Sequence, residues 1–241
     1  MIRLGMLTPS SNTVLEPVTS AMLRDLPDVS AHFARFPVTE IALSARALAQ
    51  FDDGAILAAA ALLAHARMDV IAWNGTSSGW LGFEADRTLC ARITAATGIV
   101  ATTSMLALNE ILQATGVRSL GLVTPYRDDV QARIVANYEG LGFSCGAERH
   151  LRLQDNFSFA EVGDAAIEAM TLEVAALRPD AIAVICTNLR AAPLVQRLEA
   201  HTGIPIYDTI ATAVWKSLVL AGADPGRIAG WGGLFSRPAR S

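Results

Sequence analysis

Cysteine is scarce in this chain of 241 residues: Cys90, Cys145 and Cys186 are the only three. An odd number without CxxC spacing excludes a disulfide framework and a zinc ribbon, so each is read as a free thiol. Charge is thin as well. Nineteen Lys and Arg stand against 23 Asp and Glu, a net charge of −4 with no basic block, which leaves no electrostatic footprint for nucleic acid or an anionic membrane. The longest apolar stretch, Ala55 to Ala64, is about ten residues against the roughly 20 that span a bilayer, so no membrane helix is expected. The segment Met1 to Pro9 reads as a strand running into a turn and lacks the features of a signal peptide, which makes the cytoplasm the expected location. His32, His65, His150 and His201 show no HxH or HxxxH spacing, and neither GxGxxG nor a P-loop occurs. Neither a metal nor a nucleotide cofactor is indicated.

What is present is apolar. Hydrophobic residues make up 52% and charged residues 17%, which excludes disorder and demands a large core. The length suits one large α/β domain or two small ones. A small molecule is the expected partner, and the chain's homo-oligomeric state stays open.

The chain also repeats itself. Leu4-Gly5-Met6-Leu7-Thr8-Pro9 recurs as Leu120-Gly121-Leu122-Val123-Thr124-Pro125 at an offset of 116, and Asp69 to Ser77 recurs as Asp180 to Asn188 at 111. A weaker echo pairs Thr97-Gly98-Ile99 with Thr202-Gly203-Ile204 at 105. Such shrinking offsets fit an internal duplication with small deletions in loops. Short continuous apolar runs at Leu4 to Leu7, Val70 to Trp73, Leu120 to Val123 and Ala181 to Ile185 read as parallel strands covered on both faces. Helical spacing lies between and after them, at Ala55 to Arg67, Ser104 to Ala114, Asp129 to Leu141, Phe159 to Leu177, Ala191 to His201 and Ile210 to Ala221. The fold class is therefore α/β, with two pseudo-symmetric, doubly wound, parallel-sheet (flavodoxin-like) halves. Ligands bind beyond the carboxyl ends of such strands, so the repeated strand ends face one crevice.

Cys186 stands at one of these ends and Gly75 at its equivalent, each followed by a threonine, Thr187 and Thr76. A thiol placed there suits proton transfer or nucleophilic attack; the alternative is core packing. Gly75-Thr76-Ser77-Ser78 either cradles a carboxylate or caps the next helix. Pro9-Ser10-Ser11-Asn12-Thr13 offers the same chemistry after the first strand, with Tyr126 at the place equivalent to Ser10, and Thr187-Asn188 follows Cys186. Asn156 either binds ligand or caps a helix from Phe159. Arg35 is a candidate for a second carboxylate or a surface group, whereas a helix would turn Arg190 away. Cys90 and Cys145 lack such a setting and are read as structural.

Taken together these motifs resemble the aspartate/glutamate racemase superfamily, in the branch of maleate cis-trans isomerase and arylmalonate decarboxylase. Pro9 to Thr13 and Asn156 look like the isomerase's carboxylate-binding asparagines. Gly75-Thr76-Ser77, Thr124 to Val130 and Gly230 to Phe235 look like the decarboxylase. The resemblance implies one half over residues 1–112 and 209–241, another over 113–208, and a site in the cleft between them. Racemases and isomerases of this superfamily carry cysteine at both equivalent places; here Gly75 fills the first and Cys186 the second, the decarboxylase pattern. The implied activity is cofactor-independent decarboxylation of a malonate-type dicarboxylate, with Thr76, Ser77 and Tyr126 holding an enediolate that Cys186 protonates. Maleate isomerisation, racemase-like isomerisation and a non-catalytic dicarboxylate-binding protein are the alternatives.

Overall fold

The computed structural model describes residues 1–50 and 53–236. Among these residues eight strands form two four-stranded sheets: β1 (Ile2–Pro9), β2 (Val29–Phe36), β3 (Val70–Trp73) and β4 (Ala101–Thr103) in the order β2-β1-β3-β4, then β5 (Leu120–Thr124), β6 (Glu148–His150), β7 (Ala181–Val184) and β8 (Ile206–Asp208) in the order β6-β5-β7-β8. Every pairing within them is parallel. The helices are α1 (Leu15–Met22), α2 (Ala45–Ala49), α3 (Asp53–His65), α4 (Ser78–Leu81), α5 (Glu84–Thr97), α6 (Ser104–Ala114), α7 (Asp128–Gly140), α8 (Asp164–Ala175), α9 (Val195–Thr202) and α10 (Thr209–Leu220).

The repeats have physical causes. Leu4 pairs with Val70 and Leu120 with Ala181, so both sheets share one central register. All of β3 and β7 is buried, as expected of strands with helices on both faces. The repeated Asp69 and Asp180 precede these strands, and their carboxylates accept the N–H groups of Arg3 (2.7 Å) and of Arg118 and Ser119 (2.9 and 2.8 Å). Gly5 and Gly121 let a helix close on the sheet: a Cβ there would lie 3.2 Å from Leu63 Cδ1 of α3 and 2.5 Å from Val174 Cγ1 of α8. The third echo is a helix stop. Gly98 and Gly203 take left-handed conformations (φ 73° and 71°), and Thr97 and Thr202 each bond back into the last turn.

Two expected helices are divided. Phe159 to Leu177 is a 3-10 turn (Phe157–Glu161) and then α8, because Val162 is extended and Gly163 supplies the N-cap. Ala191 to His201 opens as a 3-10 turn around Pro193, whose missing N–H suits a first turn. One further expectation needs correction. By length and composition alone Ala45–His65 reaches the range of a membrane span, with 21 residues and a mean hydropathy of 1.4. About a third of its apolar window is buried; on α3, Ile56, Ala59, Ala60 and Leu63 are buried and Leu62 is exposed, and the helix packs on β1, β2 and α5.

The sheets are cross-braced. Helix α10 follows the last strand but lies against α6, β3 and β4, with Thr212 Oγ1 donating to the Ser104 carbonyl (2.9 Å) and Lys216 paired with Glu110 (2.7 Å). Helix α4 lies against α7, where Asn137 Nδ2 donates to the Gly79 carbonyl (2.8 Å).

Candidate active site

The carboxyl ends of β3, β5 and β7 bring Thr76, Tyr126 and Cys186 together, although they come from distant parts of the chain. Thr76 Oγ1 and the Tyr126 hydroxyl are 2.7 Å apart, and the hydroxyl also bonds the Cys186 sulfur. All three residues are buried. Burial raises the phenol well above its usual range; beyond that, Cys186 raises it and the bond with Thr76 lowers it. Either hydroxyl of the Thr76–Tyr126 pair can be the donor, so the three groups form one hydrogen-bonded line. Tyr126 is held edge-on by Trp80 (5.3 Å between centroids) and Phe159 (5.6 Å), which fixes its hydroxyl at little entropic cost.

Burial pushes the Cys186 thiol up to about 12, while the N–H groups of Asn188 and Leu189 and the Tyr126 hydroxyl pull the other way. At neutral pH it is a protonated thiol. Its own N–H donates to Thr209 Oγ1 (3.2 Å), which in turn donates to the Val184 carbonyl (3.2 Å) and ties the residue to the first turn of α10. Gly75 follows β3 as Cys186 follows β7, and Thr76 and Ser77 beside it are buried.

The asparagines behave differently from expectation. Asn12 Nδ2 donates to the Thr187 carbonyl (3.1 Å) and hydroxyl (3.2 Å), and its Oδ1 accepts the N–H groups of Val14 and Leu15 (both 2.9 Å). Asn188 Oδ1 accepts from the N–H groups of Thr13 (3.0 Å) and Val14 (3.3 Å), and its Nδ2 donates to the Asn156 carbonyl (2.6 Å). Asn156 Nδ2 donates to Ser11 Oγ (2.7 Å) and makes no capping bond to the turn from Phe157. Thr187 Oγ1 donates to the Asn74 carbonyl (2.9 Å). These side chains fasten the loop after β7 to the loops after β1 and β3.

Ser10 and Arg35 make their bonds outside this cluster. Ser10 is exposed, and its hydroxyl bonds the backbone of Val38 rather than entering the cluster; Pro9 beside it is the buried last residue of β1. Arg35 is bound to Glu16 (2.8 Å) and to the carbonyls of Ser10 (2.9 Å) and Asn12 (3.0 Å), so it braces the loop after β1. Arg190 is exposed, as its spacing indicated. Cys90 in α5 and Cys145 before β6 are also pushed up to about 12 by burial.

Sequence reasoning passed over Asp208 and Thr209. Asp208 N-caps α10, with Oδ1 accepting from Ile210 (2.8 Å) and Ala211 (3.2 Å), while Oδ2 has no hydrogen-bond partner among the described residues. Burial pushes its carboxyl up to about 7, and its charge raises the Cys186 thiol. The signal was available: β8 ends beside β7, so the strand-end rule covers it too. No group of three or more His, Cys, Asp or Glu placed to hold a metal occurs among the described residues.

The chain is similar in sequence and in fold to proteins already known. The arylmalonate decarboxylase of Bordetella bronchiseptica is 27% identical over 169 residues, covering 69% of this chain and 70% of its own. A maleate isomerase of Nocardia farcinica is 26% identical over 237 residues, covering 93% of each. In structure, a cysteine-to-alanine variant of the maleate isomerase Iso from Pseudomonas putida S16 with maleate superposes with a TM-score of 0.89 at 23% identity, over 98% of this chain and 97% of that one. The family model for arylmalonate decarboxylase matches residues 6–235, and the chain belongs to that family.

Proposed function

We propose that this protein decarboxylates a malonate-type dicarboxylic acid without a cofactor. The observation that carries the reading is the hydrogen-bonded line Thr76–Tyr126–Cys186, with a glycine rather than a second thiol at the equivalent strand end. One substrate carboxylate binds at Thr76, Ser77 and Tyr126. The bond from the α-carbon to the other breaks, CO2 leaves, and the electron pair remains as an enediolate held by those donors. Cys186 gives its proton to the α-carbon and becomes a thiolate. The N–H groups of Asn188 and Leu189 and the Tyr126 hydroxyl receive that charge, and solvent returns the proton. Fixed donors of this kind are typically worth about 3 kcal/mol each in the transition state.

A thiol is well suited to the last step. The acid must still hold its proton when the carbanion forms, and burial keeps the Cys186 proton in place. Maleate isomerisation is the second reading, favoured by the 93% coverage of an isomerase relative. It would need Cys186 as a thiolate adding to the double bond, which burial disfavours.

Incubation with substituted malonates and with maleate in deuterated water separates the readings. CO2 release with one deuterium at the α-carbon supports decarboxylation. Fumarate without CO2 supports the isomerase, and binding without turnover across the panel supports a dicarboxylate-binding protein.

A further inference from the structure

Trp73 ends β3, is 1% exposed, and lies beside Phe36 with ring centroids 5.0 Å apart. A Cβ built on Gly75 would lie 1.8 Å from Trp73 Cζ2, 2.3 Å from Cε2 and 2.4 Å from Cη2. No real Cβ makes such contacts, and a rigid indole packed against Phe36 has no flexible end to swing away. Gly75 is not in the left-handed region, so space rather than backbone freedom requires glycine here. The duplication supplies the control. Val184 stands in the second half where Trp73 stands in the first, and Cys186 carries a side chain where Gly75 carries none. One half has a large residue followed by an empty place; the other has a small residue followed by a thiol.

We propose that Trp73 is a specificity-determining residue: its indole fills the place of a side chain at position 75, closes the first-half face of the site, and confines proton delivery to the Cys186 face. The catalytic part of this rests on the decarboxylase reading; the packing part does not. It follows that a second thiol at position 75 is accepted only when Trp73 is made small. With both thiols in place, one as thiolate takes the α-proton of a 2-substituted carboxylate while the other gives its proton to the opposite face. Racemisation then proceeds with no net redox change.

The test is a pair of variant cycles. In thermal unfolding, Gly75→Ala lowers Tm by roughly 5 °C or more through overpacking, and costs less than half as much when introduced into Trp73→Val; the cycle subtracts the cavity left by Trp73→Val itself. Gly75→Ala as stable as the parent, or equally costly in both backgrounds, overturns the packing claim. In activity, Trp73→Val/Gly75→Cys racemises an enantiopure 2-substituted propionate in deuterated water at least tenfold faster than either single variant, with deuterium in both enantiomers. A double variant that decarboxylates malonates but does not racemise overturns the assignment of the closed face. A parent that converts no malonate defeats the reaction assignment, while the stability cycle still decides the coupling of Trp73 to position 75.

Discussion

At the residue scale the proposed decarboxylation turns on a thiol that keeps its proton. Cys186→Ala removes the acid and leaves a small buried void, so turnover is expected to fall by about 10²–10⁴ while stability changes by only ~1 kcal/mol; parallel assays of CO2 release and urea unfolding measure both. With the thiol at about 12, alkylation of native protein by iodoacetamide at pH 7 should be far slower than that of a free cysteine. Fast alkylation of Cys186 there would contradict the protonated state. Tyr126→Phe deletes the link between Thr76 and sulfur but keeps the ring between Trp80 and Phe159. It should lower kcat by about 10²–10³ with little change in Tm, and Thr76→Val should add little to it, since the two act as one unit. These three residues were legible in the sequence because each follows a strand that the duplication repeats. Trp73 was not, because a tryptophan in a buried apolar run looks like core, and only coordinates show whose space it fills. Asn12, Asn156 and Asn188 were found as a group, but the bonds they make between loops were not legible. A sequence shows that an amide is near a site, but not which neighbouring loop it bonds.

At the element scale, the strand-to-helix joints carry the architecture. The duplicated glycines mark where a helix closes on a sheet, and Gly121 is the tighter, with Val174 2.5 Å and Pro179 3.0 Å from an added Cβ. Gly121→Ala should cost about 1–3 kcal/mol by forcing α8 off the sheet, measured by denaturant unfolding; a neutral result would mean that α8 shifts freely. Asn188→Ala tests the joint at the site. It removes the acceptor of two N–H groups and the donor to Asn156, a loss of roughly 1–3 kcal/mol. The central strands were readable from their continuous apolar runs, and β3 occurs as expected. The interruption at Val162-Gly163 was not, because apolar spacing continues through a residue pair that a single extended backbone angle is enough to break.

At the scale of the whole molecule, buried carboxyls set how stability follows pH. Asp86 lies under α4 bonded to Thr103 Oγ1, and burial pushes its carboxyl from 3.8 up to about 6; that of Asp208 rises to about 7 for the same reason. A folded value above the unfolded one means that the native state binds the proton more tightly. Their stabilising contribution is therefore present below pH 3.8 and is lost as pH rises through 6 to 7. Exposed carboxyls work in the opposite sense. Asp28 is held down at about 2 by its bond from Arg227, and Asp128 and Asp180 are lowered by His150 and by the backbone N–H of Ser119, so their contribution is lost in acid. Stability should peak near pH 4 and decline between about pH 4 and 7, with a second decline above pH 9 as the unfolded thiols ionise ahead of the buried ones. Asp208→Asn is the informative variant, since asparagine still offers an oxygen to cap α10 while carrying no charge. It should flatten the fall in Tm between pH 4 and 7 and, by removing a negative charge near sulfur, speed alkylation of Cys186 at pH 8 to 9. An unchanged Tm slope would show that Asp208 ionises as freely in the folded chain as in the unfolded one, and an unchanged alkylation rate would show that its charge does not reach the thiol.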